Sequence, residues 1–164
     1  EMEKKNYVFG ELFGDDPQKL VSYIPHCGEL SLTVLHARPR QTTVKIPYQE
    51  KLIGDPLRGV VFGGVITTLL DQAGGIAVFC SLEELKAIAT IDLRIDYVRP
   101  ATPGRDLIGY AHCYRIARHV AFVRGGAYHD DPNDPFATFL STYMMGGDWA
   151  PRGKRNESVE DKTP

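Results

Sequence analysis

Hydrophobic and polar positions change their period several times along this chain, and each change marks an element. Residues 16–27 place apolar side chains at helical spacing, which predicts a short amphipathic helix. Asp15 or Asp16 is its N-cap candidate, Pro17 suits the first turn, and Pro25 is expected to end the helix or distort its last turn. Residues 30–37 and 42–48 are β-branched or alternating and predict two strands separated by Pro39-Arg40-Gln41. Residues 50–61, with Gly54, Asp55, Pro56 and Gly59, predict a loop. Residues 62–85 form the longest helical candidate. Four strands are then predicted over residues 87–98, 106–116, 120–130 and 136–145. Proline, glycine and aspartate clusters separate them, most clearly Pro100-Ala101-Thr102-Pro103-Gly104 and Asp130-Asp131-Pro132-Asn133-Asp134-Pro135.

Helix, two strands, a long helix and four strands is an α+β order with an antiparallel sheet. The long helix is apolar nearly all round, so it has to be enclosed on most sides. A curved antiparallel sheet wrapped around a central helix meets that need. The whole length of 164 residues suits one domain with a sizeable core. Residues 1–29 are read as an N-terminal helical segment of that domain, residues 30–147 as its body, and residues 148–164 as a flexible tail. Residues 62–82 are long enough to cross a membrane. They carry Asp71, Gln72, two threonines and four glycines, however, and fit a packed soluble helix better.

Net charge of -2 and a pI near 6.2 give no basis for a nucleic-acid surface. Cys27, Cys80 and Cys113 are far apart and odd in number, which suggests free thiols in a reducing, cytoplasmic setting rather than a disulfide framework. The charged opening Glu1-Met2-Glu3-Lys4-Lys5-Asn6 lacks the apolar stretch of a secretory leader. Neither the cysteines nor the five histidines have metal-ligand spacing, so no metal is expected. No serine sits in a nucleophile elbow, and the glycine pairs match no phosphate or dinucleotide loop.

Chemistry concentrates in the long helix. Gly63 and Gly64 stand where it begins, and glycine there lets a substrate approach the backbone closely. The first N–H groups of a helix lack internal partners and lie at the positive end of its dipole, a natural place to hold a developing oxyanion. Asp71 follows eight residues later. The separation is therefore ~12 Å along the axis, too far for both to act on one carbonyl from one helix. Two antiparallel copies would bring Gly63 of one subunit to Asp71 of the other, at a two-fold interface. Read from local pattern alone, Asp71 could equally bond a buried backbone group, and the glycine pair could serve close packing.

Three stretches together resemble the phenylacetate-degradation (PaaI) type of hotdog acyl-CoA thioesterase. They are Ile53-Gly54-Asp55-Pro56-Leu57-Arg58-Gly59-Val60-Val61-Phe62-Gly63-Gly64, Leu69-Leu70-Asp71, and the strand from Thr90 that ends Asp96-Tyr97-Val98-Arg99-Pro100-Ala101. The resemblance spans roughly residues 33–147. It implies the hotdog fold, hydrolysis of acyl-CoA, and a homodimer or dimer of dimers. It also implies roles: Asp71 as nucleophile or general base, the Gly63 N–H as carbonyl polariser, and Thr90 as the hydroxyl that positions water. Phe62 stands where the family has histidine, and Asp55 where it has asparagine. Phe62 can replace only the packing part of that role. An ionised Asp55 near an oxyanion would repel it unless turned away or protonated.

Thr90, Asp92, Arg94 and Asp96 alternate with Ile91, Leu93, Ile95 and Tyr97. The apolar set is expected to face the helix and the polar set solvent or a partner. Arg99 is a candidate for a CoA phosphate. The expected substrate contacts are thus Asp55, Phe62, Gly64 and Arg99. The expected reaction yields a free acid and CoA without a metal or redox cofactor. A non-catalytic acyl-CoA-binding or sensing domain is the alternative, motivated by Phe62 and Asp55. A hotdog dehydratase is disfavoured, since no histidine is placed beside the helix carboxylate.

Overall fold

The computed structural model describes residues 16–146 together with Gly10, Leu12 and Gly14. The expected tail from residue 148 lies outside the described residues. Two short helices, α1 (Lys19–Ser22) and α2 (Pro25–Glu29), replace the single helix expected over residues 16–27. Pro25 does more than end a helix: it opens the second one, at a first-turn position where its missing N–H costs nothing. Strands β1 (Thr33–Arg38) and β2 (Gln41–Ile46) then form a hairpin whose turn residue Arg40 takes φ +70°.

The expected loop over residues 50–61 is more ordered than its turn residues suggest. It holds a 3-10 turn (Glu50–Leu52) and a small hairpin of β3 (Ile53–Asp55) and β4 (Val60–Val61). Helix α3 (Gly63–Phe79) follows, six residues shorter at its end than the apolar pattern implies. Ser81 accounts for the early stop. Its hydroxyl donates to the Ala77 carbonyl at 2.7 Å and accepts the Arg40 N–H at 2.7 Å, tying the chain to the β1–β2 turn. Glu83 and Glu84 come next, and acidic residues are unfavourable at a helix C-terminus.

Strands β5 (Ile88–Tyr97), β6 (Leu107–Ile116), β7 (Val120–Tyr128) and β8 (Ala137–Met145) complete the sheet. Its order is β1-β2-β6-β7-β8-β5, antiparallel throughout. The four predicted spans agree with these strands to within two residues at each end. Helix α3 lies across the inner face, with Leu69, Leu70, Ala73, Ala77 and Val78 fully buried. Gly109 of β6 allows this approach, because a Cβ there would come within 2.8 Å of Leu69 Cγ. The three cysteines are buried free thiols, and burial pushes that of Cys80 up to about 12. No helix among the described residues is long and apolar enough to cross a membrane.

One buried ring locks the loop between β5 and β6. His129 Nε2 accepts the Thr102 N–H at 2.9 Å, and Nδ1 lies 2.7 Å from the Asp106 carbonyl, to which it donates. Burial favours the neutral ring and lowers its pKa from 6.5, against the raising effect of the Asp106 bond. A depressed histidine stabilises the fold fully above its unfolded value, and the contribution is lost as pH falls below ~6.5. The denaturant midpoint should therefore fall between about pH 7 and 5. His129→Gln, which can accept and donate at the same places, should flatten that slope. Equal slopes in both proteins would contradict this assignment.

Candidate active site

Asp71 sits half-buried on the face of α3 left open by the sheet, beside Gln72 and in line with Gly75 and Phe79. Thr90 of β5 donates its hydroxyl to Asp71 Oδ1 at 2.8 Å. The alternation of β5 would have pointed Thr90 outward with Asp92, Arg94 and Asp96. A β-bulge prevents this: Thr90 pairs with Tyr143 and Asp92 with Thr142, so Ile91 is the extra residue. Thr90 thereby joins Leu93, Ile95 and Tyr97 on the inner side, while Ile91, expected inward, is 55% exposed. The bulge is what aims the hydroxyl at the carboxylate.

Tyr143 was not singled out in the sequence. It is 1% exposed, and its hydroxyl donates to the Asp71 carbonyl at 2.9 Å and lies 3.5 Å from Oδ1. Burial pushes its phenol up, and the nearby Asp71 charge adds to that. The signal available was its place in the inward register of β8, since a buried tyrosine hydroxyl needs a partner. No partner among the described residues engages Asp71 Oδ2, whereas Thr90 and Tyr143 both lie against Oδ1.

Gly63 is the first residue of α3, after Phe62 in extended conformation (φ -61°, ψ 133°). The Val65 N–H turns back to the Phe62 carbonyl at 3.0 Å, whereas no acceptor among the described residues takes the Gly63 or Gly64 N–H. Tyr97 Oη donates to the Gly63 carbonyl at 3.1 Å. Two contacts, Thr90 to Asp71 and Tyr97 to Gly63, show that β5 runs antiparallel to α3. Phe62 is 63% exposed and packs over Gly64, where a Cβ would meet its ring at 2.5 Å.

Asp55 points into its own turn. Its Oδ1 accepts the Leu57 and Arg58 N–H groups at 3.0 and 3.3 Å, and Oδ2 pairs with Arg58 at 3.5 Å. Arg99 pairs with Asp134 at 2.7 Å on the surface. It lines a cleft of about 450 Å³ together with Gly63 and Tyr97. Asp71 and Thr90 line a different cleft of about 790 Å³ with Leu20, Ile24 and Phe79. Within one chain, then, Gly63 and the Asp71 carboxylate line separate clefts.

Comparison with known proteins agrees with this architecture. The thioesterase superfamily model matches residues 58–136. A Halobacterium salinarum protein, named provisionally as an esterase, is 41% identical over 113 residues, covering 65% of this chain and 74% of its own length. The medium/long-chain acyl-CoA thioesterase YigI of Escherichia coli is 29% identical over 111 residues, covering 60% of this chain and 70% of its own. A crystal structure of a Pseudomonas aeruginosa protein superposes with a TM-score of 0.70 at 44% identity, over 78% of this chain and 95% of that one. PaaI proteins are also structural neighbours, a likeness of fold at 24% identity and below. The fold is the hotdog fold, and the chain belongs to the thioesterase superfamily.

The Tyr143 contact can be tested without reference to activity. Tyr143→Phe removes one hydrogen bond and little volume, and should cost about 0.5–1.5 kcal/mol in denaturant unfolding. A loss below experimental error would mean that the hydroxyl does not support α3.

Proposed function

We propose that this chain hydrolyses acyl-CoA thioesters to a free carboxylic acid and CoA, at a site shared by two copies of the chain. The observation that carries the reading is the Asp71 carboxylate, held at Oδ1 by Thr90 in the lining of an apolar cleft, with no partner on Oδ2 among the described residues. The acyl-CoA thioesterase among the relatives supports the substrate class. The separation of the two clefts supports the shared site: a two-fold partner whose α3 runs antiparallel would lay its Gly63 N–H opposite Asp71. Strand β5 lies at the sheet edge, with unpaired backbone groups to offer such a partner. A dimer of dimers is compatible with the same pairing.

The reaction follows from these parts. Asp71 Oδ2 either adds to the thioester carbonyl or draws a proton from a water that does. Both routes pass through a tetrahedral oxyanion, which the Gly63 N–H and the α3 N-terminus stabilise. Collapse breaks the carbon–sulfur bond, and the CoA thiolate leaves and takes up a proton. In the direct route, water then hydrolyses the anhydride and restores Asp71. Thr90 holds the carboxylate in register and orients the water. Phe62 and Gly64 would border the oxyanion position, and Arg99 would meet a CoA phosphate by exchanging Asp134 for that stronger acceptor. Asp55 contributes by shaping the turn. Written this way, the chemistry calls on no metal or redox cofactor, and three buried thiols fit a cytoplasmic enzyme.

Thiol release from a series of acyl-CoAs tests the reading. Wild-type protein should turn over, and Asp71→Ala should lose about a hundredfold to ten-thousandfold in kcat with the fold and oligomer unchanged. Full activity in the variant would remove Asp71 from the mechanism. Acyl-CoA binding without wild-type turnover would replace the hydrolase with a binding domain.

A further inference from the structure

The cleft beside Asp71 has a direction. Asp71, Gly75 and Phe79 fall at every fourth residue of α3 and line one wall. Ile88 and Thr90 line the β5 side, and Leu85 belongs to the same lining. Because β5 runs antiparallel to α3, Thr90 marks the reactive end and Ile88 lies further from it. Asp71 is the one ionisable carboxylate or base in this lining, and the wall beyond it is apolar apart from Gln72 and tyrosine. From Asp71 to Phe79 the helix advances ~12 Å.

Two adjacent glycines on this helix have opposite reasons to be glycine. A Cβ at Gly74 would come within 2.2 Å of the Tyr143 hydroxyl, so packing forbids a side chain there. Among the described residues, a Cβ at Gly75 would meet only Tyr143 Cε1, at 3.9 Å, an ordinary contact. Nothing among the described residues excludes a side chain at Gly75, and glycine inside a helix is less stable than alanine. What the missing side chain leaves is room, midway along the cleft and ~6 Å from Asp71.

We propose that Gly75 is the specificity-determining position of this site, its bare backbone admitting an unbranched aliphatic acyl chain of medium length past the helix toward Phe79. This inference rests on the thioesterase reading above. Carbon–carbon bonds of about 1.5 Å advance ~1.3 Å each in a zigzag chain, so the ~12 Å from Asp71 to Phe79 holds about eight to ten carbons. A larger residue at position 75 projects into the path of that chain beyond about the fourth or fifth carbon, by the same spacing. Short acyl groups end before reaching it.

The test is a chain-length profile, from butanoyl-CoA to hexadecanoyl-CoA by thiol release, for the wild type, Gly75→Ala and Gly75→Leu. The wild type should peak at about eight to ten carbons. Gly75→Leu should lose about tenfold or more in kcat/KM on decanoyl-CoA while staying within about twofold on butanoyl-CoA. Gly75→Ala should fall between the two. Neither variant should melt below the wild type, since both residues favour helix more than glycine does. A profile unmoved by Gly75→Leu, or an equal loss at every length in a folded variant, overturns the role of Gly75 and leaves the hydrolase reading standing. Absence of wild-type turnover at every length overturns the hydrolase reading and this inference with it.

Discussion

Burial of α3 against the inner face of the sheet is the constraint on which the remaining geometry depends. Leu69, Leu70, Ala73 and Ala77 have no exposed surface, and Leu69 reaches the sheet only because Gly109 offers no Cβ. Helical periodicity then fixes what the opposite face carries. Once Leu70 and Ala73 are turned inward, Asp71 and Gly75 must lie toward the open side. The carboxylate therefore emerges at a cleft without leaving a helix that is otherwise core. Rigid placement of this kind suits a reacting group, because a helix packed along its length holds its side chains more closely than a loop does.

The second half of the site depends on the same packing from the other direction. The β5 bulge at Ile91 turns Thr90 inward, and Tyr143 reaches the Asp71 carbonyl from the neighbouring strand. Two strands thus fix one carboxylate from its backbone and from Oδ1. At the N-terminus of α3, Tyr97 holds the Gly63 carbonyl, leaving the N–H groups outward. Each half is finished within the chain, yet they face different clefts. The same separation that keeps them apart in one chain is what an antiparallel second copy would cancel.

Much of this was legible in the sequence, for reasons that differ by element. The strands from β5 to β8 announce themselves through alternation and through proline, glycine and aspartate turns. The start of α3 is marked by its glycine pair, and Asp71 stands out as the one carboxylate among apolar helical positions. The expectation for Gly63 follows from its place at the helix start, that for Thr90 from the family resemblance, and the structure places the Thr90 hydroxyl on Asp71. Where periodicity breaks, the sequence misleads. Strict alternation put Ile91 inside and Thr90 outside, and only strand pairing reveals the bulge. Residues 80–85 continue an apolar pattern, but the Ser81 bonds to Ala77 and Arg40 end the helix. Nothing in the local pattern marks Tyr143, because its significance lies in a contact 72 residues away in the chain.

The shared site is the central claim, and Gly63 permits an unusually clean test of it. Proline at a first helical position removes the N–H and little else, and the extended Phe62 before it suits a following proline. A Cβ at position 63 would stand 3.4 Å from the Tyr97 hydroxyl, which leaves it room. Asp71→Ala and Gly63→Pro proteins would each be inactive as pure dimers. Unfolded together and refolded at equal ratio, half the dimers would be mixed, and each mixed dimer would carry one site with both groups intact. The account predicts recovery of about a quarter of wild-type thioesterase activity from the mixture. A mixture as inactive as its two components would contradict it, and would place both groups of each site in the same chain.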